Sequence, residues 1–220
     1  MPTKNSKKEK CSFILASKSP RRKEMVSWLG IPYSIRTADV DEVSLIEDPA
    51  LKSEDIAKKK GVALCEMLMN ESTTPSFLVL AADTIVSIGP QYFGKPKNES
   101  EARETLKFLS GQIHQVHTGV YLGLYQKGDK GIREATFHCK THVEFYETTK
   151  DLIELYLESG EYKDKAGSYG IQGKALTFIK GIQGSYSNVV GLPLAEVILK
   201  IKELFSHGDR PLEDWQECFQ

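Results

Sequence analysis

The sequence predicts an α/β protein with a mixed β-sheet. Short apolar runs typical of strands alternate along the chain with segments whose apolar residues recur at helical spacing. Two long runs, Ile113–Tyr125 and Arg133–Phe145, flank a turn at 128–131 and predict an antiparallel strand pair. In the second run apolar and polar residues alternate, as expected of a half-exposed strand.

The first half of the chain predicts a strand, a helix and a second strand, followed by an acidic loop. Ser19 can cap the first helix, which has Pro20 in its first turn and Gly30 just past its end. The acidic loop runs from Asp39 to Asp48. The other elements predicted here are strands at Phe13–Ala16 and Tyr33–Thr37, a helix at Ser53–Met69, and an apolar strand at Phe77–Ile88 interrupted by Asp83-Thr84.

The second half continues the alternation around the strand pair. Asn98 and Glu101 form a capping pair for a helix that ends near Leu109. A glycine-rich loop at Gly160–Gly173 separates the later elements. The remaining elements predicted are a helix at Lys150–Ser159, a strand at Leu176–Ile182 and a helix at Leu194–Phe205.

Composition favours one globular domain in a reducing compartment. The chain has 220 residues, a formal net charge of −1, and four cysteines without paired spacing. These features argue against bulk attraction to nucleic acid or a membrane surface, and against a disulfide framework. The apolar run at 13–16 is too short for a signal sequence or a membrane span, so we expect a cytoplasmic protein. We expect a disordered basic leader at 1–11, one domain at 12–207 and a tail at 208–220.

The segment from Ala16 to Arg22 is a candidate anion site. A strand that leads into a helix start presents free backbone N–H groups to an anion. Arg21 and Arg22 stand in the first helical turn, where acidic side chains are normally favoured. A bound phosphate would relieve this repulsion, although two solvated arginines would also account for the pattern.

Asp83 is the candidate catalytic carboxylate. It lies inside the apolar segment 78–86, where an unpaired carboxylate is costly. A nearby phosphate or metal would explain its position, and so would an ordinary strand exit. Asp41 or Glu42 could supply a second carboxylate. Two such acids can hold Mg²⁺ or Mn²⁺ and orient an attacking water.

Lysines and glycines supply further candidates for ligand contacts. Lys95 lies in a stiff Gly-Lys-Pro turn, and Lys60 ends a run of three lysines on the predicted second helix. Glycines at 167, 170 and 173 permit close backbone approach to a ligand. No P-loop or GxGxxG pattern is present, and His138 and His142 are expected to face water rather than bind a metal.

Together these segments resemble the Maf family of nucleotide pyrophosphatases, from about Phe13 to Phe205. The resemblance rests on five motifs in order: Leu-Ala-Ser-Lys-Ser-Pro-Arg-Arg, Ile-Ala-Lys-Lys-Lys, Ala-Asp-Thr-Ile-Val with Gly-Lys-Pro, Leu-Ser-Gly-Gln-Ile-His-Gln-Val-His-Thr-Gly, and Asp-Lys-Ala-Gly-Ser-Tyr-Gly-Ile-Gln-Gly with Gly-Ser-Tyr-Ser-Asn-Val-Val-Gly-Leu-Pro. The resemblance implies a sheet with flanking helices, two lobes around a nucleotide cleft, and a homodimer.

The resemblance also implies roles for individual residues. Phosphate binding falls to Ser17, Arg22, Lys60 and Lys95, and the acidic pair to Glu42 and Asp83, with Asp83 as proton acceptor. Base selection falls to Arg21, Thr84 and Gln172. The chain has Asp41-Glu42 where many relatives have two glutamates, which leaves open which acid faces the metal.

The expected activity is hydrolysis of a nucleoside triphosphate to the monophosphate and pyrophosphate. The motifs around Arg21, Thr84 and Gln172 resemble the subgroup that acts on dTTP, UTP and modified pyrimidines, rather than its 7-methyl-GTP sister. A nucleotide-binding regulator of cell division without turnover is the rival interpretation, and a nucleotidyltransferase is a weaker one. A regulator would need the basic residues but not the water-activating acid, so Asp83 favours the enzyme.

Overall fold

The computed structural model describes residues 10–71, 75–206 and 212–219, except the side chains of 212–214. Within that part of the chain, seven strands form one mixed sheet with the order β2-β1-β3-β5-β6-β7, and β4 pairs with β3. The strands are β1 (Ser12–Leu15), β2 (Tyr33–Ile35), β3 (Phe77–Ile88), β4 (Gln91–Phe93), β5 (Ile113–Tyr125), β6 (Arg133–Phe145) and β7 (Ile179–Gln183).

Six α-helices flank the sheet in the described residues. They are α1 (Pro20–Ser27), α2 (Pro49–Met69), α3 (Glu99–Leu109), α4 (Lys150–Glu158), α5 (Tyr186–Val190) and α6 (Leu194–Phe205), with short 3-10 helices at Ala166–Ser168, Lys174–Thr177 and Leu212–Cys218. β1 runs parallel to β2 and β3, whereas β3, β5, β6 and β7 are antiparallel neighbours. The mixed α/β class predicted from the sequence is confirmed.

Three apolar clusters divide the molecule into two lobes. One face of the sheet packs against α1 and α6 through residues such as Val26 and Ile201, and the other face packs against α2 through Leu64. The third cluster lies around the far ends of β3, β5 and β6, where α3 and α4 contribute Leu106 and Ile153. A cleft opens between this third cluster and the first two, past the end of β1.

Two glycines let α2 lie unusually close to the sheet. A Cβ added at Gly61 of α2 would lie 2.0 Å from the ring of Tyr121 on β5. A Cβ added at Gly119, two residues earlier on β5, would lie 2.2 Å from the backbone of Ser53. Any larger residue at either position would push helix and strand apart. This close packing fixes the distance between α2 and β3, the neighbour of β5.

Several element boundaries differ from those predicted. β3 runs through Asp83-Thr84 without interruption because its long antiparallel pairing with β5 continues past them. α2 begins at Pro49 because the Asp48 carboxylate accepts a hydrogen bond from the Leu51 amide. The last strand begins at Ile179, since the residues before it form a 3-10 helix. β4 and α5 were not predicted, and both are short.

Capping of α1 and α3 also departs from the sequence-based prediction. Ser19 occupies the N-cap position of α1 but makes no side-chain capping bond, so the capping predicted for it is wrong. At α3 the Asn98 side chain caps as predicted, by accepting from the Glu101 amide. The Glu101 carboxylate accepts from the amide of Lys97 rather than from that of Asn98.

The described ends of the chain meet at the edge of the first cluster. Cys11 and Phe219 form a parallel bridge, and both side chains are buried. The predicted leader and tail are therefore partly outside the described residues (1–9, 207–211 and 220) and partly packed on the domain. Within the described residues, no helix has both the length and the apolar character needed to cross a membrane.

Candidate functional site

The cleft between the lobes has a volume of about 490 Å³ and is lined by both lobes. All nine side chains that the sequence analysis selected as site residues line it: Ser17, Arg21, Arg22, Glu42, Lys60, Asp83, Thr84, Lys95 and Gln172. They come from β3, α1, α2 and four loops, and are spread over more than 150 positions of sequence, from 17 to 172. The roles implied for them remain predictions.

Lys60 joins two carboxylates on one wall of the cleft. Its ammonium Nζ lies 2.8 Å from Oδ1 of Asp83 and 2.9 Å from Oε2 of Glu42. Lys60 and Asp83 are mostly buried, whereas Glu42 is more than half exposed. Two carboxylate oxygens therefore converge on one cation-sized position, and desolvation strengthens their attraction for a positive charge there.

The choice between Asp41 and Glu42 for the second acid follows from their contacts. Asp41 turns back on its own loop, where its carboxylate accepts from the amide of Val43 at 3.0 Å. Asp41 does not line the cleft. Glu42 reaches Lys60, so it is the acid that the structure brings towards Asp83.

The alternation of β3 gives the cleft two chemically different walls. Adjacent residues of a strand point to opposite faces of the sheet. Asp83 points to the α2 face, where it meets Lys60, and Thr84 points to the other face, where it meets Arg22. One wall thus carries a lysine and two acids, and the other carries hydroxyl and guanidinium groups.

Arg22 ties three parts of the fold together. Its Nε donates to the carbonyl of Gly191 at 2.7 Å, and Nη1 donates to the carbonyl of Ala82 at 2.8 Å. Its Nη2 donates to the hydroxyl of Thr84 at 2.9 Å, and Ser17 Oγ lies 3.5 Å from Nη1. Burial lowers the pKa of Arg22, and the charge of Asp83 opposes that shift. With most of its N–H groups committed to the protein, Arg22 has few left for a ligand, and its phosphate contact stays a prediction.

The hydroxyl of Thr84 belongs to a hydrogen-bond chain whose direction is fixed. Thr118 donates to the carbonyl of Asn188 at 3.1 Å, so its single proton is used. Thr84 lies 3.0 Å from Thr118 and must therefore be the donor in that pair. Because Thr84 also accepts from Arg22, it has a lone pair left but no proton for a ligand. It can only accept.

Three residues predicted to contact a ligand make no side-chain hydrogen bond or ion pair within the described residues: Arg21, Lys95 and Gln172. Burial lowers the pKa of Arg21, while Tyr156 and Asp164 oppose that effect. Burial also lowers the pKa of Lys165, and the charge of Arg21 adds to the shift. Both cations line the cleft, so an anion bound between them would relieve desolvation and mutual repulsion.

The glycine-rich loop is held against the rest of the cleft by backbone contacts. The amide of Gly167 donates to the carbonyl of Gly94 at 3.2 Å, which joins the loop to the turn that carries Lys95. Gly167 has a φ of 68° and packs on Val86, so a side chain there would be strained and crowded. The contact places Gln172 and Lys95 at one cleft.

Two histidines of the fourth motif serve the interior of the protein. His114 Nε2 lies 2.7 Å from the hydroxyl of Tyr169, a cleft residue of the glycine-rich loop, and His117 Nε2 lies 3.2 Å from Ser87 Oγ. Burial lowers the pKa of each histidine to about 4. They are therefore neutral at physiological pH, and His114 anchors the loop to β5.

Lys165 and Tyr169 line the cleft but were not predicted as site residues from the sequence. Both stand in the glycine-rich motif, and their positions in it were the only available signal. Thr118 and Asn188 were not predicted either, because their contact joins β5 to α5, which is distant in sequence. His138 was predicted to face water, and it is exposed beside Glu54.

No cluster of three or more His, Cys, Asp or Glu side chains is present among the described residues. Of the carboxylates that line the cleft, those of Glu42 and Asp83 approach one common point, so they are the two that would hold a metal there. Mg²⁺ is commonly held by one or two carboxylates together with phosphate oxygens of the substrate. The donor set fits such an ion, because both carboxylates already converge on the Lys60 ammonium.

Fold and cleft define a mixed-sheet α/β protein with an interlobe site suited to a polyanionic ligand. The chain belongs to the Maf family, since the family model described as Maf-like protein matches residues 12–204.

Curated relatives match most of the chain. One from Bacillus cytotoxicus is 41% identical over 195 residues, which cover 88% of this chain and 96% of the relative. One from Agathobacter rectalis is 40% identical over 199 residues, which cover 87% of this chain and 97% of the relative. One from Bacillus thuringiensis subsp. konkukian is 42% identical over 192 residues, covering 87% and 94%. Each of these relatives is named dTTP/UTP pyrophosphatase.

Proposed function

We propose that this protein is a nucleoside triphosphate pyrophosphatase that hydrolyses dTTP and UTP to the monophosphate and pyrophosphate. The observation that carries the proposal is the grouping of Lys60, Asp83 and Glu42 in a cleft that Arg21 and Lys95 also line. Relatives that cover most of the chain have this activity in their names. A triphosphate carries about four negative charges, so its hydrolysis depends on positioning and charge neutralisation.

Different residues of the cleft bind the phosphates, activate the water and contact the base. The phosphate oxygens are bound by Ser17, Arg22, Lys60 and Lys95. Asp83 takes a proton from a water placed next to the α-phosphorus. The resulting hydroxide forms a bond to that phosphorus while the bond to the β-phosphate bridging oxygen breaks, which releases pyrophosphate. Lys60 leaves its two carboxylates for the phosphate as the substrate binds. Arg21, Thr84 and Gln172 contact the base.

We also propose a divalent cation, Mg²⁺ or Mn²⁺, held by Glu42 and Asp83. When bound, it would neutralise phosphate charge and lower the pKa of a coordinated water. Lys60 offers a single positive charge to the same two carboxylates, and its exchange from the acids to the phosphates would free them for the ion.

Pyrophosphate release by the purified protein tests the function directly. The assay uses dTTP and UTP with Mg²⁺ or Mn²⁺, and repeats each reaction in excess chelator. We expect monophosphate and pyrophosphate in equal amounts, and no release in chelator. Nucleotide binding without turnover would support the regulator instead, and full activity in chelator would refute the metal assignment.

The homodimer implied by the family resemblance and the cytoplasmic location expected from the composition stay predictions. Light scattering of the purified protein measures its mass against the 24.6 kDa of one chain. A monomer at micromolar concentration would contradict the dimer.

A further inference from the structure

We propose that Lys52 is a positioning residue that holds both the acidic loop with Glu42 and the turn with Lys95 at the cleft. This inference rests on the proposed function only for its effect on the kinetics; the structural role of Lys52 does not depend on it. The starting observation is that Lys52 is 8% exposed, although lysine is rarely buried without a carboxylate partner. It does not line the cleft, so ligand binding does not account for its burial.

The Lys52 ammonium contacts a different segment on each side. On one side Nζ donates to the backbone carbonyl of Ser44 at 2.8 Å. On the other side Nζ lies 4.5 Å from the ring centroid of Tyr92, within cation–π distance. Ser44 is two residues after Glu42, and Tyr92 is three residues before Lys95. One buried charge therefore joins two segments that each carry a predicted site residue.

The acidic loop has two more attachments on the same side of α2. Lys59 donates to the carbonyl of Val43 at 2.9 Å, and Asp55 forms an ion pair with Lys59 at 2.8 Å. A hydrogen bond from Ser44 also lowers the pKa of Asp55, after the larger effect of Lys59. Lys52, Asp55 and Lys59 follow one another at spacings of three and four, so they share one helix face. The side chains on that face therefore hold the loop directly after Glu42.

Lys52 differs from these attachments because it is buried and because it also reaches β4. Lys59 is 43% exposed, so water can replace its contact at little cost. Replacing Lys52 would leave the Ser44 carbonyl and the Tyr92 ring without their shared partner. Residues that do not touch the metal but hold its ligating side chains in place commonly contribute about 10–100-fold to metal affinity or activity. We expect an effect of that size for Lys52.

The experiment compares Lys52→Met, Lys52→Arg and Lys58→Met. Methionine fills the space without a donor, and arginine keeps the donor and the cation. Lys58 is the matched control, because it lies on another face of α2 and pairs with Glu134 on β6. Lys52→Met should raise the KM for dTTP and the Mg²⁺ concentration for half-maximal rate by about 10-fold or more, with a smaller change in kcat. The other two variants should stay within about two-fold of the unmodified protein.

Hydrogen exchange of the metal-free protein tests the tether without any catalysis. In Lys52→Met, exchange should rise at residues 42–46 and 91–95 and stay unchanged in α6 and β5. Tyr92→Leu should raise exchange at 91–95 alone. If Lys52→Met does not fold, this variant tests the contact between Lys52 and Tyr92. Unchanged exchange in both segments, or an equal rise across the chain, would overturn the proposal. An inactive unmodified protein would refute the proposed function instead, and the exchange result would still stand.

Discussion

Lys60 Nζ and Asp83 Oδ1 lie 2.8 Å apart, which joins α2 to β3 by a mostly buried ion pair at the wall of the cleft. The pair uses one oxygen of the Asp83 carboxylate. The other, Oδ2, makes no hydrogen bond within the described residues and is available to a water. Once the substrate draws Lys60 to its phosphates, this carboxylate can accept a proton from a bound water and act as a general base.

Asp83→Asn should lower kcat for dTTP by at least about 10²-fold, because a general base contributes about 10²–10⁴-fold to the rate. The amide oxygen can still accept from Lys60, so the fold should persist, as circular dichroism would verify. Asp151→Asn, on α4 outside the cleft, is the control and should retain full activity. A well-folded Asp83→Asn variant with a near-normal rate would remove Asp83 from this role.

Arg21 and Arg22 should respond differently to replacement by alanine. Arg22→Ala leaves the carbonyls of Ala82 and Gly191 without a charged donor, so we expect a loss of about 2–4 kcal/mol in unfolding free energy. Arg21→Ala should change stability by less than about 1 kcal/mol and raise the KM for dTTP. Urea denaturation and steady-state kinetics on both variants measure the contrast. The reverse pattern would exchange the two roles.

Thr118→Val should weaken the preference for UTP over CTP. Valine cannot accept from Thr84, so the Thr84 proton is released and can satisfy the N3 acceptor of cytosine. Uracil instead presents an N3 donor, which Thr84 accepts with its remaining lone pair while Thr118 holds the proton away from the base. The ratio of kcat/KM for UTP to that for CTP should fall about three- to ten-fold, the range of one hydrogen bond. Thr118→Ser keeps the hydroxyl and should keep the ratio; a drop there would contradict this explanation.

Gln172→Glu should erode the preference for dTTP and UTP over 7-methyl-GTP and the purine deoxynucleotides by about ten-fold or more. A glutamine amide can both donate to and accept from the edge of uracil or thymine, whereas a carboxylate repels their carbonyls. Gln183→Glu, on the exposed edge strand β7, is the control. Equal efficiency of the unmodified protein on 7-methyl-GTP and dTTP would refute the pyrimidine preference.

Stability should fall as the pH drops from about 6.5 to about 4. His114 and His117 have pKa values of about 4 in the folded protein, below the ordinary value of about 6.5. The unfolded chain therefore binds protons first as the pH falls, which favours unfolding. By pH 5 each histidine should cost about 2 kcal/mol relative to pH 7.5.

Urea denaturation at the two pH values measures that loss of stability. Replacing either histidine by glutamine should remove its share of the pH dependence, and His138→Gln, on an exposed position, should not. A stability that is flat from pH 7.5 to 5 would contradict the assignment of buried, neutral histidines.

Local signals in the sequence were sufficient for much of the fold. The bounds of β5, β6 and α6 agree with the prediction, since each is a long periodic segment with turn residues at its ends. Asp83 was recognised because a carboxylate in an apolar strand is conspicuous. The position of Arg22 gave no indication of its partner, since Gly191 lies 169 residues further along the chain. Lys52 was equally hidden, because a lysine in a helix is normally solvated.

The close contact of α2 with β5 determines which parts of the cleft can move. With Gly61 against the ring of Tyr121 and Gly119 against the backbone of Ser53, helix and strand have no gap through which to slide. The wall that carries Lys60 and Asp83 is therefore rigid. Any widening of the cleft for substrate entry or pyrophosphate release must therefore come from its other sides and leave the Lys60–Asp83 wall in place.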